Sequence, residues 1–316
     1  MFDVIGLGTI AMDIFFHVDN LPIEDGFALI QKSNLLPGGS GTNVVTQISR
    51  LSGKCGYIAQ IGDDDIGISI IESLVKENID TDGIRIKNGA TSLHCKIIVD
   101  PNGRKFILLE KGNAFDKWAF SEINQNYLFE AKIFYTDLLP PQPAVRSLKI
   151  AKKAGLTTVF NLQMGIQQME LMGIKKETII DVLEYVDIFA PCSNGFLQLC
   201  NSSELDNCHK YISHYFDGLL LCTLGENGSK AFYKDNEPIF IPAMHIKPVD
   251  TTGAGDSYLG AFIYAFLIAN RKLQQSMKFA TACAAYTCER IGARSSPNLE
   301  QALIMEKKFD KELEIE

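Results

Sequence analysis

Short runs dense in β-branched and aromatic residues recur along the 316-residue chain at 4–7, 57–61, 133–135, 157–160 and 219–222. Between them, 44–51, 66–77, 144–154 and 273–290 carry apolar residues at the three- and four-residue spacing that lines one helical face. Strand and helix alternate, which predicts an α/β fold of three layers, with a mostly parallel central sheet and helices on both faces. In such folds ligands gather at the carboxyl ends of the strands.

Two stretches break the alternation. Strand-like segments at 14–18 and 28–33 come before any long helix, and 94–99 joins 105–109 through the turn-forming Pro101-Asn102-Gly103. With ends at about 12–18, 27–33, 91–99 and 104–110, these strands predict a small second sheet. The pattern fits either a lid or an edge extension of the main sheet. No Pro/Ser/Gly-rich linker or charge block divides 1–316, so a single domain carrying this small β subdomain is expected.

Composition narrows the classes. With 46% hydrophobic and 22% charged residues the chain is ordinary and globular. A net charge of −8 argues against a nucleic-acid or anionic-membrane surface. The first residues lack a basic segment followed by an apolar run, and the longest apolar stretch, 258–269, is too short to span a bilayer, so a cytoplasmic location is expected. Eight cysteines without a CxxC pair suit reduced thiols. Cys192, Cys200 and Cys208, with His209 and His214, raise the alternative of zinc, although their spacing differs from the usual ligand pairs.

Candidate chemistry concentrates in Asp250-Thr251-Thr252-Gly253-Ala254-Gly255-Asp256-Ser257, which runs into an apolar helix. Small residues at Gly253, Ala254 and Gly255 let backbone N–H groups approach a ligand, and a helix start favours an anion. Asp256 reads as an N-cap or as a general base. A carboxylate beside an anion-stabilising turn is what phosphoryl transfer to a hydroxyl requires. A second Gly-rich segment, Gly38-Gly39-Ser40-Gly41-Thr42-Asn43, opens the helix near 44. It would admit a ligand to the backbone at Gly38 and Gly39 and offer it the Asn43 amide, or serve only as a turn. The chain has no GxxxxGK[ST] motif. Gly6-Leu7-Gly8-Thr9-Ile10-Ala11 matches GxGxxA, with Asp25 at the distance of a ribose-binding acid, and keeps an NAD-dependent oxidoreductase open. The alternation after Ala11 predicts a strand where that motif needs a helix. Asp13 then reaches toward a cleft or lies in a solvated loop.

Segment 38–43 followed by 58–67, and 250–257 with its helix, resemble the two signatures of the ribokinase-like (PfkB) carbohydrate kinases. The resemblance runs from Gly6 to about Pro297. It implies ATP-dependent phosphorylation of a sugar-like hydroxyl, with Asp256 as catalytic base and Gly253, Ala254 and Gly255 as anion hole. It places Asp13, Gly38, Gly39 and Asn43 on the substrate, and Thr223, Gly225 and Gly228 of Thr223-Leu224-Gly225-Glu226-Asn227-Gly228 on the nucleotide. It also implies Mg²⁺, and a monovalent cation, usually K⁺, held by Asp250 and the carbonyl of Thr252 with Thr287, Arg290, Gly292 and Ser296, partly through backbone carbonyls. A β-lid often used in dimerisation belongs to the same resemblance.

The chain departs from that pattern at Cys192 and Gly195, where Asn-x-x-Glu is usual. A thiol is a poor magnesium ligand, which keeps a non-catalytic sugar- or nucleotide-binding protein on the same fold in view. Asp137 replaces a substrate-contacting glutamate, and Ser40 replaces a lysine. The missing lysine favours a neutral acceptor, whereas Arg104 and Lys105 leave an anionic one open.

Overall fold

The computed structural model describes residues 1–115, 118–234 and 236–315. In chain order the strands are β1 (Phe2–Leu7), β2 (Ala11–Val18), β3 (Ile30–Gly38), β4 (Cys55–Gly62), β5 (Ile79–Asp80), β6 (Ile84–Lys87), β7 (His94–Val99), β8 (Lys105–Glu110), β9 (Ala131–Thr136), β10 (Thr157–Leu162), β11 (Ile188–Pro191), β12 (Leu219–Thr223), β13 (Ser229–Tyr233) and β14 (Ile239–Ile241). The α-helices are α1 (Ser40–Arg50), α2 (Asp65–Lys76), α3 (Gln125–Leu128), α4 (Pro141–Lys153), α5 (Ile166–Leu171), α6 (Lys176–Val182), α7 (Ser193–Cys200), α8 (Leu205–Ile212), α9 (Ala254–Ile263), α10 (Leu273–Cys288) and α11 (Leu299–Ile315).

Ten strands form the main sheet in the order β14-β13-β12-β11-β10-β9-β1-β4-β5, with β6 also on β4. All its pairs are parallel except β12–β13 and β13–β14. Period-two burial sorts β1 side chains between two cores: Val4 joins Tyr57, Phe262 and Phe279, while Ile5 and Leu7 join Phe134, Phe160 and Leu148. Helices α1, α9 and α10 cover the first face, and α4 and α7 the second. The fold is the expected three-layer α/β arrangement.

A separate four-stranded sheet has the order β3-β2-β7-β8. The β7–β8 hairpin turns at Asp100, whose carboxylate accepts the N–H groups of Asn102 and Arg104 at 3.0 Å, with Gly103 at φ 77. Strand β3 of this sheet departs from the expectation. It occupies 30–38 instead of 27–33, because Pro37-Gly38 ends a strand rather than making a turn. β3 lies at the sheet edge, where a proline costs no ladder bond. Helix α1 likewise begins at Ser40, four residues before the apolar pattern announces it. Gly39 at its N-cap has φ 87, and a Cβ there would lie 2.7 Å from the carbonyl oxygen of Thr9.

Candidate active site

The strand order reverses at β1, which has β4 on one side and β9 on the other. Carboxyl ends of parallel strands diverge at such a point and leave a crevice. Thr9, Asp137, Gln163 and Cys192 stand just past the ends of β1, β9, β10 and β11, and Thr223 ends β12. Asn161, Gln163, Cys192, Thr223, Gly255 and Asp256 line one cavity there.

Helix α9 enters this crevice amino end first. Gly253 at its N-cap has φ 79, and a Cβ there would lie 2.2 Å from the carbonyl oxygen of Ala293, so only glycine fits. At Gly255 a Cβ would meet nothing within 4 Å, because the residue opens on the cavity. Ala254 N–H donates to the Thr251 carbonyl at 3.2 Å, while the N–H groups of Gly255 and Asp256 have no acceptor within the helix, the condition under which a helix start favours an anion.

Asp256, half-buried in the next position, accepts Ser40 Oγ–H at 2.5 Å on Oδ1 and Asn43 Nδ2–H at 2.9 Å on Oδ2. Loss of hydration pushes its carboxyl up to about 6, against the opposing pull of those two bonds and of the Arg294 charge. Asn43 in turn accepts Arg294 Nε–H at 2.9 Å, and the same guanidinium donates to the Gly38 carbonyl at 2.8 Å and to Thr42 Oγ1 at 2.6 Å. Burial lowers the Arg294 pKa to about 10.

Asp13 sits on β2, paired with Leu36 of β3 and Cys95 of β7. A Cβ on Gly38 would lie 2.4 Å from Asp13 Oδ2, so Gly38 is the space this carboxylate occupies. Burial raises the Asp13 pKa, opposed by the Cys95 thiol and by the charges of Arg294 and Lys105. Asp137 is fully buried. It accepts Thr9 Oγ1–H at 2.7 Å, Gln163 Nε2–H at 2.9 Å, Thr9 N–H at 2.9 Å and Leu139 N–H at 3.1 Å. Desolvation nevertheless pushes it up to about 6. Gly8 is explained here, since a Cβ would meet Asp137 Oδ1 at 2.8 Å. The GxGxxA segment thus packs on a carboxylate, β2 follows it in place of a helix, and Asp25 lies in an exposed turn.

On the opposite wall, Thr223 is bridged to Cys192, and the Gly225–Asn227 turn closes with Leu224 N–H donating to the Gly228 carbonyl at 2.8 Å. Gly228, at φ 96, passes so close to Ile241 that a Cβ would lie 2.1 Å from its carbonyl oxygen. Cys192 caps α7 through its sulfur, which accepts Gly195 N–H at 3.4 Å. A Cβ at Gly195 would stand 2.6 Å from the Met164 carbonyl oxygen, so a glutamate has no room there. Oxygen atoms at this wall come from Asn161, Gln163 and Thr223 instead.

Three of the six residues expected around a monovalent cation, Asp250, Thr252 and Gly292, are tied together by hydrogen bonds. The Asp250 carboxylate accepts Thr252 N–H at 3.0 Å and Gly292 N–H at 2.9 Å, which helps hold its pKa below the usual value despite partial burial. Thr287 Oγ1 is turned into the core, 2.8 Å from Ser257 Oγ and 3.0 Å from the Cys283 carbonyl oxygen. Arg290 folds back on the Tyr286 ring and carbonyl, and the Ser296 carbonyl accepts Arg50 at 2.7 Å. The zinc alternative fails: among the described residues no three His, Cys, Asp or Glu side chains group to hold a metal.

Sequence reasoning missed Arg294, Asn161 and Gln163. The last two alternate at the end of β10 and just past it, a period-two polar pair after the apolar Val159-Phe160 that could have marked them. Arg294 carries no local signal.

Residues 1–301 match the pfkB family carbohydrate kinase model. The chain is 28% identical over 299 residues to "Probable fructokinase-2" of Arabidopsis thaliana, covering 87% of this chain and 88% of that one. It is 25% identical to the "ATP-dependent ribose-1-phosphate kinase" of Halopiger xanaduensis, over 98% of this chain and all of that one (100%). The ribokinase of Thermotoga maritima superposes with a TM-score of 0.84 at 24% identity, covering 97% of this chain and 100% of the other. An Arabidopsis thaliana ribokinase complexed with ribose and ATP superposes at 0.83 with 20% identity, covering 97% and 99%. The chain belongs to the pfkB family of carbohydrate kinases, phosphotransferases that take an alcohol group as acceptor.

Proposed function

We propose that this chain transfers the γ-phosphate of ATP to a hydroxyl of a neutral sugar or sugar-like polyol, with Asp256 as general base. The observation that carries the reading is the corner at the start of α9. A half-buried carboxylate, oriented on both oxygens by Ser40 and Asn43, stands next to first-turn N–H groups opening on a cavity. Asp256 takes the proton of the acceptor hydroxyl as that oxygen attacks in line. The backbone of Gly253, Ala254 and Gly255 meets the charge that develops on the transferred group.

The acceptor lies between Asp13, the Gly38-Gly39 backbone and Asn43, under the small sheet acting as a lid on a single domain. The nucleotide lies along Thr223, Gly225 and Gly228. A neutral acceptor is favoured because Asp13 and Asp256 stand on its side of the crevice while Arg294 directs its donors into the protein. Mg²⁺ bound with ATP would neutralise phosphate charge. Asn161, Gln163 and Thr223 suit a hard cation that keeps mostly phosphate and water ligands. K⁺ fits Asp250 and the Thr252 carbonyl.

A second copy of this chain is the proposed cover for β8. That edge strand leaves Phe106, Ile107, Leu108 and Leu109 about half exposed on both faces. Among the described residues no helix is long and apolar enough to cross a membrane.

The test is ATP consumption across fructose, ribose, nucleosides, sugar phosphates and sugar acids, with and without K⁺. Turnover confined to neutral acceptors is expected. Turnover only with phosphorylated or acidic sugars contradicts the acceptor assignment, and ligand binding without ADP release contradicts the catalytic one.

A further inference from the structure

Arg294 lies between Gly292 and Ser296 but is not among the residues read as ligands, and its guanidinium lies against the corner formed by Asn43 and Asp256. We infer that Arg294 is a positioning residue for phosphoryl transfer: it fixes the Asn43 carboxamide with its N–H toward Asp256. This rests on Asp256 being the base.

A carboxamide has a donor end and an acceptor end, and at Asn43 the two ends meet opposite demands. Guanidinium offers only donors and an ionised carboxylate only acceptors. Arg294 Nε–H reaches Asn43 Oδ1 at 2.9 Å, which leaves Nδ2–H to reach Asp256 Oδ2 at 2.9 Å. Turned by half a rotation, the amide would set N–H against N–H on one side and oxygen against carboxylate on the other. Without Arg294 nothing on the far side of Asn43 forbids that orientation.

The guanidinium is itself held at every nitrogen. Its second terminal nitrogen donates to the Gly38 carbonyl and Thr42 Oγ1, and its first to Ser73 Oγ at 3.2 Å. The backbone behind it is clamped as well. Arg50 donates to the carbonyls of Arg294 and Ser296, both at 2.7 Å, and is held by a two-pronged pair with Glu77 at 2.8 and 2.5 Å. One rigid chain of contacts therefore runs from the α1–α2 surface through Arg294 and Asn43 to Asp256. An ammonium could replace the charge but not this fork. Among the described residues, ionisable groups that interact with Asp256 or with Arg294 include Asp137, Asp13, Glu77, Arg50 and the phenols of Tyr57 and Tyr135.

The experiment compares wild type, Arg294→Met, Arg294→Lys, Asn43→Ala, the Asn43→Ala/Arg294→Met double variant and Asp256→Asn. It measures kcat, the KM for ATP and for the acceptor, and the pH profile. Arg294→Met is expected to lower kcat by about tenfold or more, as for a misplaced base, with the ATP KM within about twofold. Its acid limb should move upward, because the charged carboxylate loses a donor and a nearby cation. On the Asn43→Ala background the same substitution should cost less than about twofold, since its route is already cut. If Arg294→Met does not fold, Arg294→Lys carries the comparison, with a smaller kcat loss and the same direction of shift.

A folded Arg294 variant with normal kcat and an unmoved acid limb overturns the proposal, as does a fully additive double variant. Near-normal turnover in Asp256→Asn overturns the base assignment underneath it. An inactive Asp256→Asn beside a normal Arg294→Met overturns the positioning role alone.

Discussion

Two helices point their amino ends at the same cavity, and they are built differently. At α9 the start is glycine-rich and acidic: Gly253 makes the left-handed entry, Gly255 leaves the backbone open, and Asp256 is gripped by Ser40 and Asn43 from α1. At α7 the start is Cys192-Ser193-Asn194-Gly195, capped by a sulfur and packed against the Met164 carbonyl, with no carboxylate. On the proposed reading, proton chemistry and anion stabilisation belong to the first helix end, while the second offers no carboxylate to a metal. The two ends are carried by different strand–helix junctions of one sheet, so their contributions can be tested separately.

Gly253→Val breaks the α9 side most severely. A β-branched residue cannot hold φ 79, and its Cβ would collide with the Ala293 carbonyl. With the first-turn donors displaced, kcat should fall about 100-fold, as measured in a coupled ADP assay beside a thermal melt that confirms folding. Wild-type turnover in this variant would remove the anion hole from the account.

The pH profile comes next. A base works only when ionised, and burial pushes the Asp256 carboxyl up to about 6, so kcat/KM should drop as pH falls through that value. Below it the loss should approach about tenfold per pH unit. Asp137 is also pushed up to about 6 and is coupled by charge to Asp256, so two groups near the same pH can share the limb. A profile flat down to about pH 4.5 contradicts an essential base of this kind.

On the α7 side, Cys192→Asn supplies an oxygen cap in place of sulfur. It should tighten Mg²⁺–ATP binding by about threefold, the worth of one modest hydrogen bond, measurable by calorimetry. Weaker binding would show that the thiol is itself part of the nucleotide wall. A Gly195→Glu variant should instead lose stability, because its Cβ has no space.

The smallest effect on turnover is expected at a third helix start. Asp64 caps α2 by accepting Gly67 N–H at 2.9 Å and also accepts Ser92 Oγ–H at 2.6 Å. Asp64→Ala should cost about 1 kcal/mol of stability by denaturant titration, with kcat unchanged.

These differences also explain what the sequence made legible. The α9 start could be read because its chemistry is contiguous, with small residues and an acid running into an apolar helix. Asp13, Gly38 and Asn43 were readable once that segment had suggested a cleft. Arg294 was not, because its partner Asn43 is 251 positions away and a single arginine makes no periodic pattern. The Asp137–Thr9–Gln163 knot is hidden for the same reason, since three strand ends supply one member each. The strand at 30–38 was misplaced because Pro37-Gly38 is turn chemistry by composition and an edge-strand terminus by position.

The central claim is that Asp256 takes the acceptor proton, and single-turnover phosphoryl transfer by Asp256→Asn tests it most directly. With ATP binding verified by calorimetry, the account predicts transfer slowed by about 100-fold or more at unchanged nucleotide affinity. Transfer within a few-fold of wild type would contradict it.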